Sequence, residues 1–218
     1  MSTPMLQRGW VEAELAEEFP HLALRQMVVP ARPGRSPRLV KERLRTMSDR
    51  FTGGRAVNLR QQPIPWAYRV FFRQIGIDPD DHRTPVEGLA LERMFHGGFK
   101  SQGLPHDAVV IATVETGVAL MALDADRVTG ALGVRLARDD ERLGTGGKRL
   151  EPRQMVVADD SGVVAVLFGD CAPEREVAAH TRSVLLAAVQ VKGVPEVSVE
   201  EAMWTAAETL QGAVTGAS

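Results

Sequence analysis

The chain has 218 residues, of which 44% are hydrophobic and 25% charged, and its net charge is −2; this is an ordinary soluble globular composition, sufficient for one large domain or two closely packed small ones. A single cysteine, Cys171, excludes an intrachain disulfide and fits a reducing, cytoplasmic compartment. No run reaches the roughly 20 apolar residues that span a bilayer, and the opening MSTPMLQRGW lacks the basic start and apolar stretch of a secretory signal.

Residues 10–18 (WVEAELAEE) predict a short acidic helix or a strand with polar alternation. HLALRQMVV (21–29) alternates at Leu22, Leu24, Gln26 and Val28, which predicts a strand. PARPGRSP (30–37) is a loop, since its prolines and glycine punctuate any regular element. RLVKERLRTMSDRF (38–51) sets Leu39, Val40, Leu44 and Met47 at helical spacing. TGGRAVNLRQQPIP (52–65) breaks the pattern, and WAYRVFFRQIG (66–76) resumes it with Trp66, Val70, Phe71 and Ile75 on one side.

HRTPVEGLALERMFHGG (82–98) carries the signs of a capped helix. Thr84 suits the N-cap, Pro85 the first helical position and Glu87 the returning acid of a capping box. Val86, Leu89, Ala90, Met94 and Phe95 predict the inward face, and Gly97-Gly98 the end, where glycine tolerates the left-handed conformation. DAVVIATVETG (107–117) is a helix or a buried strand. The chain then turns to short apolar runs. VALMALDAD and VTGALGVRLA are strands, GTGGK is a turn, and QMVVADDSGVVAVLF is a hairpin turning at Asp159-Asp160-Ser161-Gly162. RSVLLAAVQV is a further strand. PEVSVEEAMWTAAETL closes the chain as a helix, with Ser198 and Glu201 as a second capping box before Val199, Met203, Ala206 and Leu210. Helices early and strands late predict an α+β fold, a mixed β-sheet core flanked by helices, rather than alternating βαβ units.

The small net charge conceals an asymmetry. Residues 25–60 hold Arg25, Arg32, Arg35, Arg38, Lys41, Arg43, Arg45, Arg50, Arg55 and Arg60 against Glu42 and Asp49, a net of +8, which leaves −10 for the rest. Such a segment suits a polyanion such as nucleic acid, or else a solvated Arg-rich helix beside a loop. Arg38, Lys41 and Arg45 are its candidate RNA contacts, and Trp66 can either stack on a base or pack.

Common catalytic motifs are missing. GTGGKRL (144–150) lacks the first glycine of a phosphate-binding loop and has Arg149 where a magnesium-binding hydroxyl belongs. No glycine-flanked serine forms a nucleophile elbow. His21, His82, His96, His106 and His180 show no paired metal spacing. Cys171 is a nucleophile or, more commonly for a lone cysteine, a small buried apolar residue. Neither a metal nor an organic cofactor is indicated.

WAYRVFFRQIGIDPDDHRTPVEGLALERMFHGG, with Arg83, Thr84, Glu87-Gly88-Leu89 and Arg93 in register, resembles the middle of free-standing B3/B4-domain proteins. These are relatives of the tRNA-binding and editing module in the beta subunit of phenylalanyl-tRNA synthetase. GLPHDAVVIATVETGVALMALDADRVTGALGVRLA is similar to the next block, through Gly117, Leu120, Asp124 and Gly130. EPRQMVVADDSGVVAVLF, followed by Glu176, Val177 and Thr181, is similar to the last, and AEEFPHLALRQMVV to the opening; together these cover roughly residues 10–190. The resemblance divides the chain into an N-terminal helix/strand segment (1–65) packed on a B3/B4-like domain (66–218). It implies a module that binds misacylated tRNA and hydrolyses the ester, typically to remove tyrosine, as a second sieve where binding alone discriminates too weakly.

The chain also departs from the synthetase pattern. In ALMALD, Met121 stands at the family's histidine and Ala119 at its proline; in DAVV, Asp107 is kept and Val110 stands at the asparagine. The candidate catalytic residues are therefore Glu176, at the family's editing-site acid, and Arg83, whose charge gains nothing from a helix start. Glu87, Arg93, Asp107, Val110, Met121 and Thr181 are the candidate substrate contacts, with a cap for Glu87 and a solvated surface for Arg93 as the plainer readings. Three functions follow: an RNA-binding module acting on aminoacyl-tRNA, with editing in trans; an enzyme using the same, more apolar pocket for a free amino acid or a derived small molecule; or a non-catalytic binding module.

Overall fold

A computed structural model describes residues 4–31, 33–51 and 53–215. Of the basic segment, Arg32 and the side chain of Arg55 lie outside what is described. In chain order the elements are β1 (Gln7–Arg8), β2 (Trp10–Val11), α1 (Ala13–Glu18), β3 (Ala23–Pro30), α2 (Arg38–Arg50), α3 (Gly53–Leu59), α4 (Pro63–Gln74), α5 (Pro85–His96), α6 (Leu104–Thr116), β4 (Leu120–Asp124), β5 (Gly133–Leu136), β6 (Met155–Asp159), β7 (Gly162–Val166), β8 (Ser183–Gln190) and α7 (Glu196–Thr215).

The strands form two four-stranded sheets, ordered β1-β3-β8-β4 and β2-β5-β6-β7. The first is antiparallel throughout, with β3 and β8 paired from Ala23↔Gln190 to Pro30↔Ser183. The second is mixed, because β2 joins β5 in parallel. The N-terminal 1–65 segment thus supplies an interior strand of the first sheet. β8 is buried along almost its whole length, as its unbroken apolar run requires of a strand covered on both faces. Helices α6 and α7 pack on each other and on this sheet. β6 and β7 alternate between two cores: Val157 and Val164 enter the main one, Val156 and Val163 a smaller one with Leu143 and Leu150. Within the second sheet Gly133 of β5 is paired with Trp10 of β2, and any Cβ there would fall within the indole ring. The Trp10 indole donates to the Ala131 carbonyl at 2.9 Å.

The α+β expectation holds, as do the hairpin at 159–162 and most element positions. Four local expectations need correction. Residues 53–59 form a helix of their own, α3, and α4 begins at Pro63 after a short turn; Pro63 and Pro65 lie in the first turn of α4, where an N–H has no helical partner anyway. On α4, Trp66 is 50% exposed, while Tyr68, Arg69, Phe71 and Phe72 are buried. Polar anchors rotate the helix: the Tyr68 hydroxyl donates to the Val189 carbonyl at 2.5 Å and accepts the Ala119 N–H at 3.1 Å. On α5 the buried stripe is Val86, Glu87 and Ala90, and Phe95 is 78% exposed because the last turn runs beyond the core. At α7 the Pro195 carbonyl already accepts the N–H groups of Ser198 and Val199, so Ser198 sits inside the helix and caps nothing. The inward row Val199, Met203, Ala206 and Leu210 is fully buried as its spacing predicts.

Candidate functional site

A cavity of about 900 Å³ opens where four segments converge. Loop 33–35 and Lys41 of α2 form one side. Residues 101–103 and the first turns of α6, with His106 and Val109, form the next. Ala122 of β4 and the segment Glu176–Ala179 complete it. Val109, Ala122, Val177 and the two alanines make its wall apolar, while Arg35, Lys41, His106 and Glu176 supply ionisable groups.

Asp107 builds this geometry. It lies in the opening turns of α6 and is fully buried. Its carboxylate accepts the hydroxyls of Ser36 at 2.6 Å and Ser101 at 2.5 Å, the Gln102 N–H at 2.9 Å, and a longer contact from His106 Nδ1 at 3.4 Å. One carboxylate thereby ties loop 30–37 and loop 97–103 to the start of α6. Burial pushes this carboxyl upward, but the bonds from His106, Ser101, Ser36 and Gln102 outweigh it and hold the group below the usual carboxylate range. Gly103 completes the join. Its φ of 123° is one that side-chain-bearing residues rarely adopt, its absent Cβ would stand 3.2 Å from the Gly34 carbonyl, and that carbonyl accepts the Leu104 N–H at 2.9 Å.

The opposite rim is held the same way. The Thr181 hydroxyl donates to Asp124 at 2.6 Å and accepts the Ala178 N–H at 3.0 Å, fixing a tight turn. Glu176 bridges to Leu123 of β4 through its backbone, which leaves its exposed side chain at the cavity.

Arg83 and Glu87 belong elsewhere. Arg69, only 3% exposed, donates to Glu87 at 2.8 Å and to Asp80 at 2.8 Å. Glu87 also accepts the Thr84 N–H and hydroxyl, the returning half of the capping box, and Arg83 reaches Asp80 at 3.3 Å. The Arg69 hydrogen bond leads a set of cationic neighbours that holds the Asp80 carboxyl below its ordinary range. This clasp joins α4, the 78–84 turn and α5, and neither Arg83 nor Glu87 lines the cavity.

The other expected contacts are divided. Arg93 donates to the Ser48 carbonyl at 2.9 Å, locking α5 to the last turn of α2. With Val110 and His106 it lines a narrow crevice beside the main cavity. Met121 packs into the main core, and its strand neighbour Ala122 reaches the cavity, as alternation requires. Thr181 is buried behind the rim. On α2, Arg38, Lys41 and Arg45 are exposed at spacings of three and four; Lys41 enters the cavity wall, and Arg38 pairs with Glu42 at 2.7 Å. Burial first, then the nearby Glu176 charge, push the Cys171 thiol up to about 12, which disfavours the thiolate that a nucleophilic role needs.

His106, Arg35 and Ser36 were not among the expected site residues. The sequence signal for His106 is its position beside Asp107 at the opening of a helix that follows Gly103, since paired metal spacing says nothing of a histidine that acts alone. Among the described residues no group of three His, Cys, Asp or Glu side chains could hold a metal ion, and no helix is long and apolar enough to cross a membrane.

These features define an α+β module with a loop-built cavity, part apolar and part ionisable, bordered by a basic helix face. The chain belongs to the B3/4 domain family, whose profile matches residues 67–210. It is 32% identical over 106 residues to the phenylalanine–tRNA ligase beta subunit of Cutibacterium acnes, covering 47% of this chain and 13% of that subunit. It is 31% identical over 140 residues to the same subunit of Mycolicibacterium paratuberculosis, covering 62% of this chain and 16% of that one. The chain therefore spans a small fraction of the relatives it matches. An N-terminal fragment of the phenylalanyl-tRNA synthetase beta subunit from Pyrococcus horikoshii aligns over 95% of this chain and 53% of that one, with a TM-score of 0.45 and 11% identity.

Proposed function

We propose that this B3/4 module binds the aminoacylated end of tRNA in the cytoplasm and hydrolyses misplaced amino acids in trans. The observation that carries this reading is the cavity itself. Its size falls within the roughly 300–1,000 Å³ range of small-ligand sites, and its apolar wall faces a carboxylate, a histidine and two cations. Glu176 takes the ammonium of the amino acid, Val109 and Ala122 its side chain, and Lys41 and Arg35 the phosphates of the terminal nucleotides. Arg38 and Arg45 extend that basic track along α2.

His106 is placed to act as base. Its Nδ1 faces the buried Asp107, which leaves Nε2 to take a proton from water as the water oxygen attacks the ester carbonyl. The tetrahedral intermediate collapses by breaking the bond to the ribose oxygen, and the histidine returns the proton to that oxygen. Filter binding of aminoacyl-tRNA across a salt titration, followed by release of labelled amino acid, tests the proposal. His106→Gln is expected to bind normally and to lose roughly 10²–10⁴ of the hydrolytic rate. Failure of the wild-type chain to bind at low salt removes the RNA reading. Stabilisation by free amino acids without tRNA binding moves the function to the small-molecule alternative, which the apolar Val109–Ala122 wall favours. Binding without turnover leaves a non-catalytic module.

A further inference from the structure

A second cleft lies at the other end of the first sheet. It measures about 190 Å³ and is lined by Arg8, His21, Arg25, Gln190 and Lys192, among others, and the described residues lining it include no acid. None of the residues that line this cleft lines the cavity described above.

The register makes this cleft unusual. Arg8 of β1 is directly opposite Arg25 of β3 in an antiparallel pair, so both side chains leave the same face. Gln190 of β8 is opposite Ala23, two residues along, on that face as well. Like charges placed opposite each other weaken a sheet, and a chain with a net charge of −2 has acids to spare for separating them. Here Glu196, at the start of α7, pairs with one Arg25 nitrogen. Arg25 Nε is buried without a hydrogen-bond partner. Lys192 adds a third cation and His21 a titratable donor. Glu18 is the acid of the adjoining groove, which shares His21 and Lys192. Arg8, Arg25 and Lys192 thus face one directly paired carboxylate.

We propose that this cleft binds a phosphoryl group, offered either as free phosphate or by the backbone of an RNA. Forked guanidinium donors on two adjacent strands match the oxygens of a phosphate, and an anion between Arg8 and Arg25 would relieve the like-charge repulsion that the single Glu196 carboxylate relieves in part. The inference does not depend on the cavity's function, because phosphate can be tested without any tRNA.

The test is an NMR titration of the full chain at low ionic strength with inorganic phosphate, with a short RNA, and with chloride at matched ionic strength. Saturable shifts at Arg8, Arg25 and Lys192 with phosphate, absent with chloride, are expected. Arg8→Gln is expected to weaken phosphate binding by roughly tenfold or more, through loss of a charge-assisted hydrogen bond. The same substitution should leave unchanged or raise the melting temperature in phosphate-free buffer. Competition between RNA and phosphate for these residues, or shifts with RNA alone, assigns the phosphate to an RNA backbone; shifts with phosphate alone assign it to the free ion. No saturable shift with either, equal shifts with chloride, or a lower melting temperature for phosphate-free Arg8→Gln overturns the proposal.

Discussion

Asp107 and Glu87 are both buried acids near the start of a helix, and they do different work. Glu87 meets a buried guanidinium, so its carboxylate joins two helices into a rigid clasp. Asp107 meets hydroxyls, an amide and a histidine that belong to loops, so its carboxylate shapes a cavity. An acid saturated by an arginine and its own cap has nothing left for a ligand. An acid that organises loops and orients a histidine sets up chemistry without touching substrate.

That contrast can be broken in order of expected effect. Glu87→Ala leaves the buried Arg69 with the half-exposed Asp80 as its remaining acidic partner, beside a long bond to the Pro79 carbonyl; a loss of about 3 kcal/mol in urea unfolding is expected. Asp107→Ala strands the buried Ser36 hydroxyl and releases Ser101 and the Gln102 N–H. It should cost about 1–3 kcal/mol, and limited proteolysis should open loops 30–37 and 97–103 first. A variant that loses stability without exposing these loops would contradict the tethering role.

The same carboxylate gives a pH signature. Its folded-state value is depressed, so its contribution is present above the ordinary aspartate value of about 3.9 and is lost as pH falls through the lower folded value. The stability gap between wild type and Asp107→Asn should therefore be constant near neutral pH and shrink below about pH 4. A gap that grows on acidification would reverse the sign. The smallest effect belongs to Arg83→Gln. Its bond to Asp80 is exposed, and the change should stay within about 0.5 kcal/mol.

Much of this was legible in the sequence because it is local. The caps at Thr84 and Gly97, the alternation of β3 and the hairpin at Asp159 all reside in a few neighbouring residues. Asp159 bears this out: its carboxylate accepts the N–H groups of Ser161, Gly162 and Thr129 and the Ser161 hydroxyl. The inward faces of α4 and α5 were less legible, because Arg69 finds Glu87 eighteen residues away and Tyr68 finds Val189 across the fold. Periodicity ranks apolar residues and cannot see a buried ion pair. The site was half legible. Glu176, singled out through the family resemblance, and Lys41, singled out by the basic run, both line the cavity, and Asp107 lies behind it. His106 and Arg35 were hidden, since only tertiary contacts bring loop 33–35 against α6.

The most direct measurement is the low-salt affinity of aminoacyl-tRNA for the wild-type chain, Lys41→Gln and Arg83→Gln, side by side. Tight wild-type binding is expected, weakened and less salt-dependent in Lys41→Gln and unchanged in Arg83→Gln. Absence of wild-type binding, or an Arg83→Gln loss as large as that of Lys41→Gln, would contradict the placement of the site at the Asp107-built cavity.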